Sequence, residues 1–159
     1  LRIMNRSIKL VLGQYAENGE SDDGMDIGVC RFYDGAARMT YAGAKFSIFL
    51  SEADDVREVK GDRSSLGYRK VPLDQPYTDQ DVEFTADTRF YLLTDGVTDQ
   101  VGEATGRMYG KRRTLAMLQE LRHLSMAEQR ENILAAFTAY QGGENRRDDV
   151  TMIGFRVPV

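Results

Sequence analysis

Two short acidic stretches hold the residues whose types and spacing could do chemistry. In Phe90-Tyr-Leu-Leu-Thr-Asp95-Gly-Val-Thr-Asp99 an apolar, strand-like run at 90–93 leads straight into an acid, a glycine and a second acid. Later the order is reversed: Arg146-Arg147-Asp148-Asp149 precedes the apolar run at 150–157. A buried strand that ends on a carboxylate pushes that group out at the rim of its sheet, and glycine lets the backbone turn there without a Cβ penalty. One strand exits onto acids and another starts from acids, so both sets are expected at one sheet edge. Hard divalent cations favour that collection of oxygen ligands. Taken singly, Asp-Gly and Asp-Asp pairs are ordinary turn residues whose side chains accept backbone hydrogen bonds. Asp34-Gly35 reads as such a turn and nothing more. What sets Asp95 and Asp148 apart is that each borders one of the most apolar strands of the chain.

The bulk properties limit what these acids serve. A chain of 159 residues is long enough for one domain with a real core and too short for two comfortable ones. Its 42% hydrophobic and 29% charged residues suit a soluble globular protein. The net charge of −4 leaves no basic surplus to displace counterions, which excludes a general nucleic-acid binder. The single cysteine, Cys30, cannot close an internal disulfide and fits a reducing compartment. No apolar run approaches the ~20 residues needed to span a bilayer, and no signal peptide is visible. The chain starts with Leu1 inside helix-like sequence and is expected to be a piece of something longer.

The positioning elements follow from periodicity. Residues 1–14 carry apolar side chains at 1, 3, 4, 8, 10, 11 and 12, which predicts an amphipathic helix with that face buried, ended by Gly13 and the polar run at 17–23. Alternation at 25, 27 and 29 predicts a strand, and Asp34-Gly35 a hairpin into residues 36–42, with both turn positions tolerating positive φ. Residues 45–50 and 56–60 read as short strands, 61–80 as a proline-bearing loop, and 81–84 as a weak strand before 90–93. Leu115, Leu118 and Leu121, widened by Met117, predict a helix. Ser125 with Glu128 predicts a capping box for a further helix that buries Ile133, Leu134, Phe137 and Tyr140 and stops at Gly142-Gly143. The order of helix, many antiparallel-type strands, two helices and a last strand is α+β with segregated helices.

In this order Asp23-Gly-Met-Asp-Ile27, Tyr41-Ala-Gly-Ala44, Ser65-Leu-Gly67, Tyr91-Leu-Leu-Thr-Asp-Gly-Val-Thr-Asp-Gln100 and Asp148-Asp-Val-Thr151 resemble a bacterial SpoIIE-type serine/threonine phosphatase, within the metal-dependent type 2C (PPM) group. The resemblance covers essentially the whole chain, and the Thr-Asp-Gly-x-Thr-Asp and Asp-Asp-Val-Thr pair is its most specific part. It implies a β-sandwich flanked by α-helices (α-β-β-α) holding a pair of Mn²⁺ or Mg²⁺ ions. These would activate a water for attack on phosphoserine or phosphothreonine. By matching position Asp95 and Asp148 would be ligands of one metal, and Gly96 would allow the tight turn. Asp99 and Asp149 would lie behind the ligands or on an accessory metal, and Arg146 and Arg147 could meet the substrate phosphate. The implied substrate is a phosphorylated anti-sigma-factor antagonist of the STAS type in a partner-switching pathway, read out in the cytoplasm or on the cytoplasmic side of a membrane-tethered parent. The resemblance also admits a homodimer.

The sequence departs from the family in one main respect. The Gly-Asp motif of an early strand and the Asp-x-Ser-Gly-His-Gly stretch, which supply the bridging aspartate and a carbonyl ligand, have no match here. Residues 1–159 are therefore expected to be the C-terminal part of the domain, incomplete at the N-terminus, with half of the metal site elsewhere. Ala44 stands near where some relatives carry an aspartate for a third metal, which lowers that expectation only. A phosphatase-like module that binds its partner without turnover is the alternative. His123 reads as a helix-end residue, Cys30 as a small core residue, and Lys111-Arg112-Arg113 as a solvated face. Met108-Tyr109 and the set Met4, Met117 and Met126 read as core filling.

Overall fold

Val29 lies opposite Ala42 and Phe32 opposite Met39, so β1 (Ile27–Phe32) and β2 (Arg38–Ala44) form the expected antiparallel hairpin. The structure, a computed structural model, describes residues 1–15 and 21–158. The turn is longer than the two-residue type expected. The Tyr33 amide donates to the Arg38 carbonyl at 3.3 Å and the Ala36 amide to the Tyr33 carbonyl at 3.2 Å. Gly35 has a positive φ, +65°, while Asp34 does not. One glycine is enough to reverse the chain when the loop has extra residues to spread the bend.

The hairpin belongs to the first of two compact units, Leu1–Ile48 with Val59–Thr85. β5 (Gln80–Glu83) pairs antiparallel with the other edge of β2, Met39 facing Val82, to give the order β1-β2-β5. Met39, Tyr41, Ala44, Leu66 and Val82 are buried in this unit. The Tyr41 hydroxyl satisfies itself on the Phe46 carbonyl at 2.7 Å, as a buried phenol must.

Helix α1 (Arg2–Val11) forms where expected but faces the other way. Its buried residues are Asn5 and Lys9, whereas Ile3 is 77% and Val11 83% exposed, with Met4, Leu10 and Leu12 also exposed. The reason is the loop beneath it, whose backbone groups exchange hydrogen bonds with the polar face of the helix. Asn5 donates to the carbonyls of Pro72 (2.9 Å) and Leu73 (3.1 Å) and accepts from the Gly67 amide at 3.0 Å. The Lys9 ammonium donates to the carbonyls of Gly67, Tyr68 and Arg69 at 3.0, 2.8 and 3.3 Å. Apolar periodicity located the helix but not the face it buries. Gly13 has φ +65° just past the helix. Part of the polar run expected to end the helix, residues 16–20, lies outside the described residues.

The second unit comprises Phe49–Glu58 and Ala86–Pro158. The four-stranded sheet has the order β4-β3-β6-β7, from β3 (Ile48–Ser51), β4 (Val56–Val59), β6 (Arg89–Leu93) and β7 (Met152–Arg156). β6 and β7 are antiparallel, and Phe90 stacks on its register partner Phe155 with ring centroids 5.3 Å apart. Phe49, Val56, Tyr91 and Leu118 form the buried cluster, with Leu93, Leu115, Met126 and Ile133 packed against it. α3 (Gly110–Leu121) supplies Leu118 and Leu115 from its predicted stripe.

α4 (Met126–Gln141) starts at the expected capping box. The Ser125 hydroxyl accepts from the Glu128 amide at 3.3 Å, and the Glu128 carboxylate accepts from the Ser125 amide at 2.9 Å. Its buried apolar residue is Phe137; Leu134, expected inside, is 55% exposed. Met4 and Met108, read as core filling, are also exposed, while Met117 and Tyr109 are buried. Cys30 is half-buried, and burial pushes its thiol up to about 11. Among the described residues no helix is long and apolar enough to cross a membrane.

Candidate metal centre

Antiparallel pairing of β6 with β7 puts the end of one strand beside the start of the other. The register closes on Leu93 opposite Met152, and beyond it the Thr94 amide donates to the Thr151 carbonyl at 3.0 Å. Asp95 therefore leaves the sheet at the end where Asp148 and Asp149 enter it. The acids after β6 sit on a single helical turn, α2 (Asp95–Asp99), with Thr94 in extended conformation at its N-cap position.

Gly96 is where the two segments touch most closely. A Cβ on it would lie 2.4 Å from the Asp149 carbonyl oxygen and 3.2 Å from that of Asp148, so no other residue fits without moving backbone. Asp95 is exposed and begins α2, where a negative charge suits the orphan amides of a helix start. The Asp95 carbonyl accepts from the Thr98 hydroxyl at 3.0 Å, and the same hydroxyl lies 3.2 Å from an Asp99 carboxylate oxygen. Asp148 Oδ1 accepts from the Asp149 amide at 2.7 Å, a local contact that orients its carboxylate from the backbone of the next residue. Arg146, Arg147, Asp148, Asp149 and Val150 line one hollow of about 300 Å³. Within it the acids and the arginines share a single solvent-facing surface.

The donor set is one of hard oxygen ligands, which fits Mg²⁺ or Mn²⁺ and would suit a soft metal poorly. Among the described residues, however, no group of three or more His, Cys, Asp or Glu side chains comes together to hold a metal ion. The aspartates of these two segments are what the chain itself offers. The guanidinium of Arg146 lies over the Phe137 ring, 5.9 Å from its centroid, which steadies a side chain at the edge of the hollow.

Several supporting residues had no signal of their own in the sequence. Gln100 is buried and donates to the carbonyls of Val101 (3.0 Å) and Asn145 (3.2 Å), tying the segment after α2 to the one before Asp148. Glu103 accepts from the Gly143 amide at 2.9 Å. Neither residue type nor spacing marks such side chains, because their partners are backbone groups distant in the chain.

The family model of Stage II sporulation protein E (SpoIIE) matches residues 23–158. Among solved structures, the SiaA-PP2C domain of Pseudomonas aeruginosa is 31% identical with a TM-score of 0.82, over 96% of this chain and 57% of that one. The phosphatase domain of the cell fate determinant SpoIIE from Bacillus subtilis, presoaked with Mn, is 15% identical with a TM-score of 0.56, over 99% of this chain and 66% of that one. The catalytic domain of the serine threonine protein phosphatase PstP, in complex with 2 manganese ions, is 16% identical with a TM-score of 0.64, over 99% and 68%. A comparison with curated proteins gave no match. The chain thus spans little more than half the length of the SiaA domain that it matches. Among the described residues, the two antiparallel sheets and four helices have the PP2C-type fold that the motifs implied. A model that matches the chain from Asp23 to Pro158, and a solved domain 31% identical over nearly all of it, agree on one conclusion: this chain belongs to the SpoIIE family.

Proposed function

We propose that this chain is the C-terminal part of a metal-dependent phosphatase domain that removes phosphate from a serine or threonine of a small regulatory protein. The observation that carries the reading is the β6–β7 pairing, which delivers Asp95 and Asp148 to one end of one sheet. In this reading the two carboxylates hold one Mn²⁺ or Mg²⁺, and the remaining ligands of a pair of ions come from a part of the domain outside these 159 residues. When bound, the ions would supply Lewis acidity and an activated water. Gly96 lets the two acidic segments meet, Asp99 and Asp149 support them or hold an accessory ion, and Arg146 and Arg147 orient the phosphate. The partner in this reading is a phosphorylated STAS-type anti-sigma-factor antagonist, met in the cytoplasm or beneath a membrane-tethered parent, with a homodimer as the assembly.

The test is Mn²⁺-dependent phosphate release from such a phosphoprotein by residues 1–159, beside a form extended upstream. Turnover by the extended form alone, lost on Asp95→Ala, is the expected result. Turnover that survives Asp95→Ala would sink the metal assignment. A second reading, a phosphatase-like module that binds its partner without turnover, draws on the lack of a three-acid cluster among the described residues. Inactivity of both forms, with the partner still bound, would favour it. Arg147→Glu should weaken phosphoprotein turnover in the extended form, and unchanged turnover there would remove Arg147 from the site.

A further inference from the structure

The segment just before Asp95 contains a side chain whose bonding is out of keeping with its position. Thr94 occupies the N-cap of α2, where a threonine hydroxyl ordinarily accepts from an amide of the first helical turn. Here it makes no such bond. Its hydroxyl reaches across to the other acidic segment instead. It donates to the Asp149 carbonyl at 2.8 Å and accepts from the Thr151 amide at 3.0 Å, while its own amide donates to the Thr151 carbonyl. One side chain therefore bonds on both sides of Val150, directly behind Asp148 and Asp149.

We propose that Thr94 is a positioning residue, whose hydroxyl sets the spacing between the Asp95 turn and the Asp148–Asp149 segment so that both aspartates can serve one divalent cation. The inference rests on the metal reading given above. The chemistry admits few substitutes, because the bridge needs a donor and an acceptor on the same short side chain, and a hydroxyl is both. Serine meets that requirement. Valine has nearly the same shape and offers neither function. The close approach at Gly96 makes the spacing steep: with the Asp149 carbonyl already against Gly96, the segments cannot move closer, and the Thr94 bonds act with the strand pairing to hold them from moving apart at the acids themselves. Groups behind metal ligands that orient them in this way are commonly worth ~10–100-fold in metal affinity.

The probe is Mn²⁺ alone, titrated into the form extended upstream and followed by paramagnetic broadening of the Asp95 and Asp148 amide resonances, a readout that detects weak sites without catalysis. The amide spectrum and thermal midpoint report folding of each variant. Thr94→Val and Thr94→Ala should each raise the Mn²⁺ midpoint by about tenfold, and Thr94→Ser should restore the native midpoint. A native midpoint in the valine and alanine variants, with Asp148→Asn abolishing the broadening, would overturn the role of Thr94 while leaving the metal reading standing. No selective broadening at Asp95 and Asp148 in the extended form without substitutions, or broadening untouched by Asp148→Asn, would overturn both.

Discussion

The α-carbon of Gly96 packs so close to the carbonyl oxygen of Asp149 that an added Cβ would lie 2.4 Å from it. That contact joins the turn after β6 to the segment before β7 through backbone alone. Glycine here serves close approach, since Gly96 is not among the residues with positive φ. Gly96→Ala should therefore force the segments apart and destabilise the chain by ~1–3 kcal/mol, the range for overpacking a filled site. Urea unfolding measures the loss, and faster hydrogen exchange at the Thr151 amide would locate it. Wild-type stability and exchange in Gly96→Ala would mean that the two segments are not held in contact.

How far the sequence could be read follows the range of the interactions. Elements built from local pattern were legible: the Asp34-Gly35 hairpin, the Leu115–Leu118 stripe of α3, the Ser125–Glu128 box and the strands flanking the acids all form where expected. That the Asp95 segment leaves the sheet at the end where the Asp148 segment enters it was legible for the same reason, since a strand that ends on acids and one that begins on them need only pair antiparallel. What stayed hidden depends on partners far along the chain. Asn5 and Lys9 face carbonyls of residues 67–73, and Gln100 faces Asn145. No periodicity encodes a hydrogen-bonding carbonyl on a distant loop, so the apolar stripe of α1 points to the wrong buried face. Leu134 failed differently: it keeps the spacing of Phe137 but lies on the part of α4 that stays open to solvent.

Cys30 provides a second test. Burial pushes its thiol up to about 11 from an ordinary 9.0. The thiolate is the reactive form, so at pH 8 its fraction should be about a hundredfold lower than that of an unperturbed thiol. Iodoacetamide labelling of the folded chain should be slow by a corresponding factor and become fast in denaturant. Rapid labelling of folded protein at pH 8 would contradict the burial of Cys30. The sign for stability follows from the same shift. The folded state holds its proton to higher pH than the unfolded chain, so stability falls as pH rises above the unfolded thiol range.

The capping box makes a prediction at acid pH. Hydrogen bonds from the Ser125 hydroxyl and amide hold the Glu128 carboxyl below its ordinary value of 4.5. A carboxyl depressed in the folded state contributes stability that is fully present above the unfolded pKa and lost as pH falls through the folded one. Circular dichroism of the helices against pH should show this acid limb, and Glu128→Gln should remove it. Ser125→Ala should cost about 1 kcal/mol at neutral pH. An acid limb that persists unchanged in Glu128→Gln would assign it to another carboxyl.

Helix α1 yields the prediction that most sharply separates the two ways of reading its sequence. If its apolar stripe were the packed face, Ile3 and Val11 would be the residues it cannot lose, and Lys9 would tolerate replacement. The structure reverses this. Lys9 is 2% exposed and its ammonium donates to three backbone carbonyls, while Ile3 and Val11 face solvent. Burial lowers the lysine pKa, opposed by the charge of Asp22, so the ammonium is costly to bury and is held there by its three hydrogen bonds to backbone carbonyls. Hydrogen bonds to a charged donor are worth ~1.5–3 kcal/mol. Lys9→Met keeps the length of the side chain and removes every donor, so it should destabilise the chain by at least ~2 kcal/mol in urea unfolding. Val11→Glu should stay within about 0.5 kcal/mol of wild type, as an exposed substitution does. The opposite ranking, with Lys9→Met neutral and Val11→Glu disruptive, would mean that the apolar stripe of α1 is the face that packs.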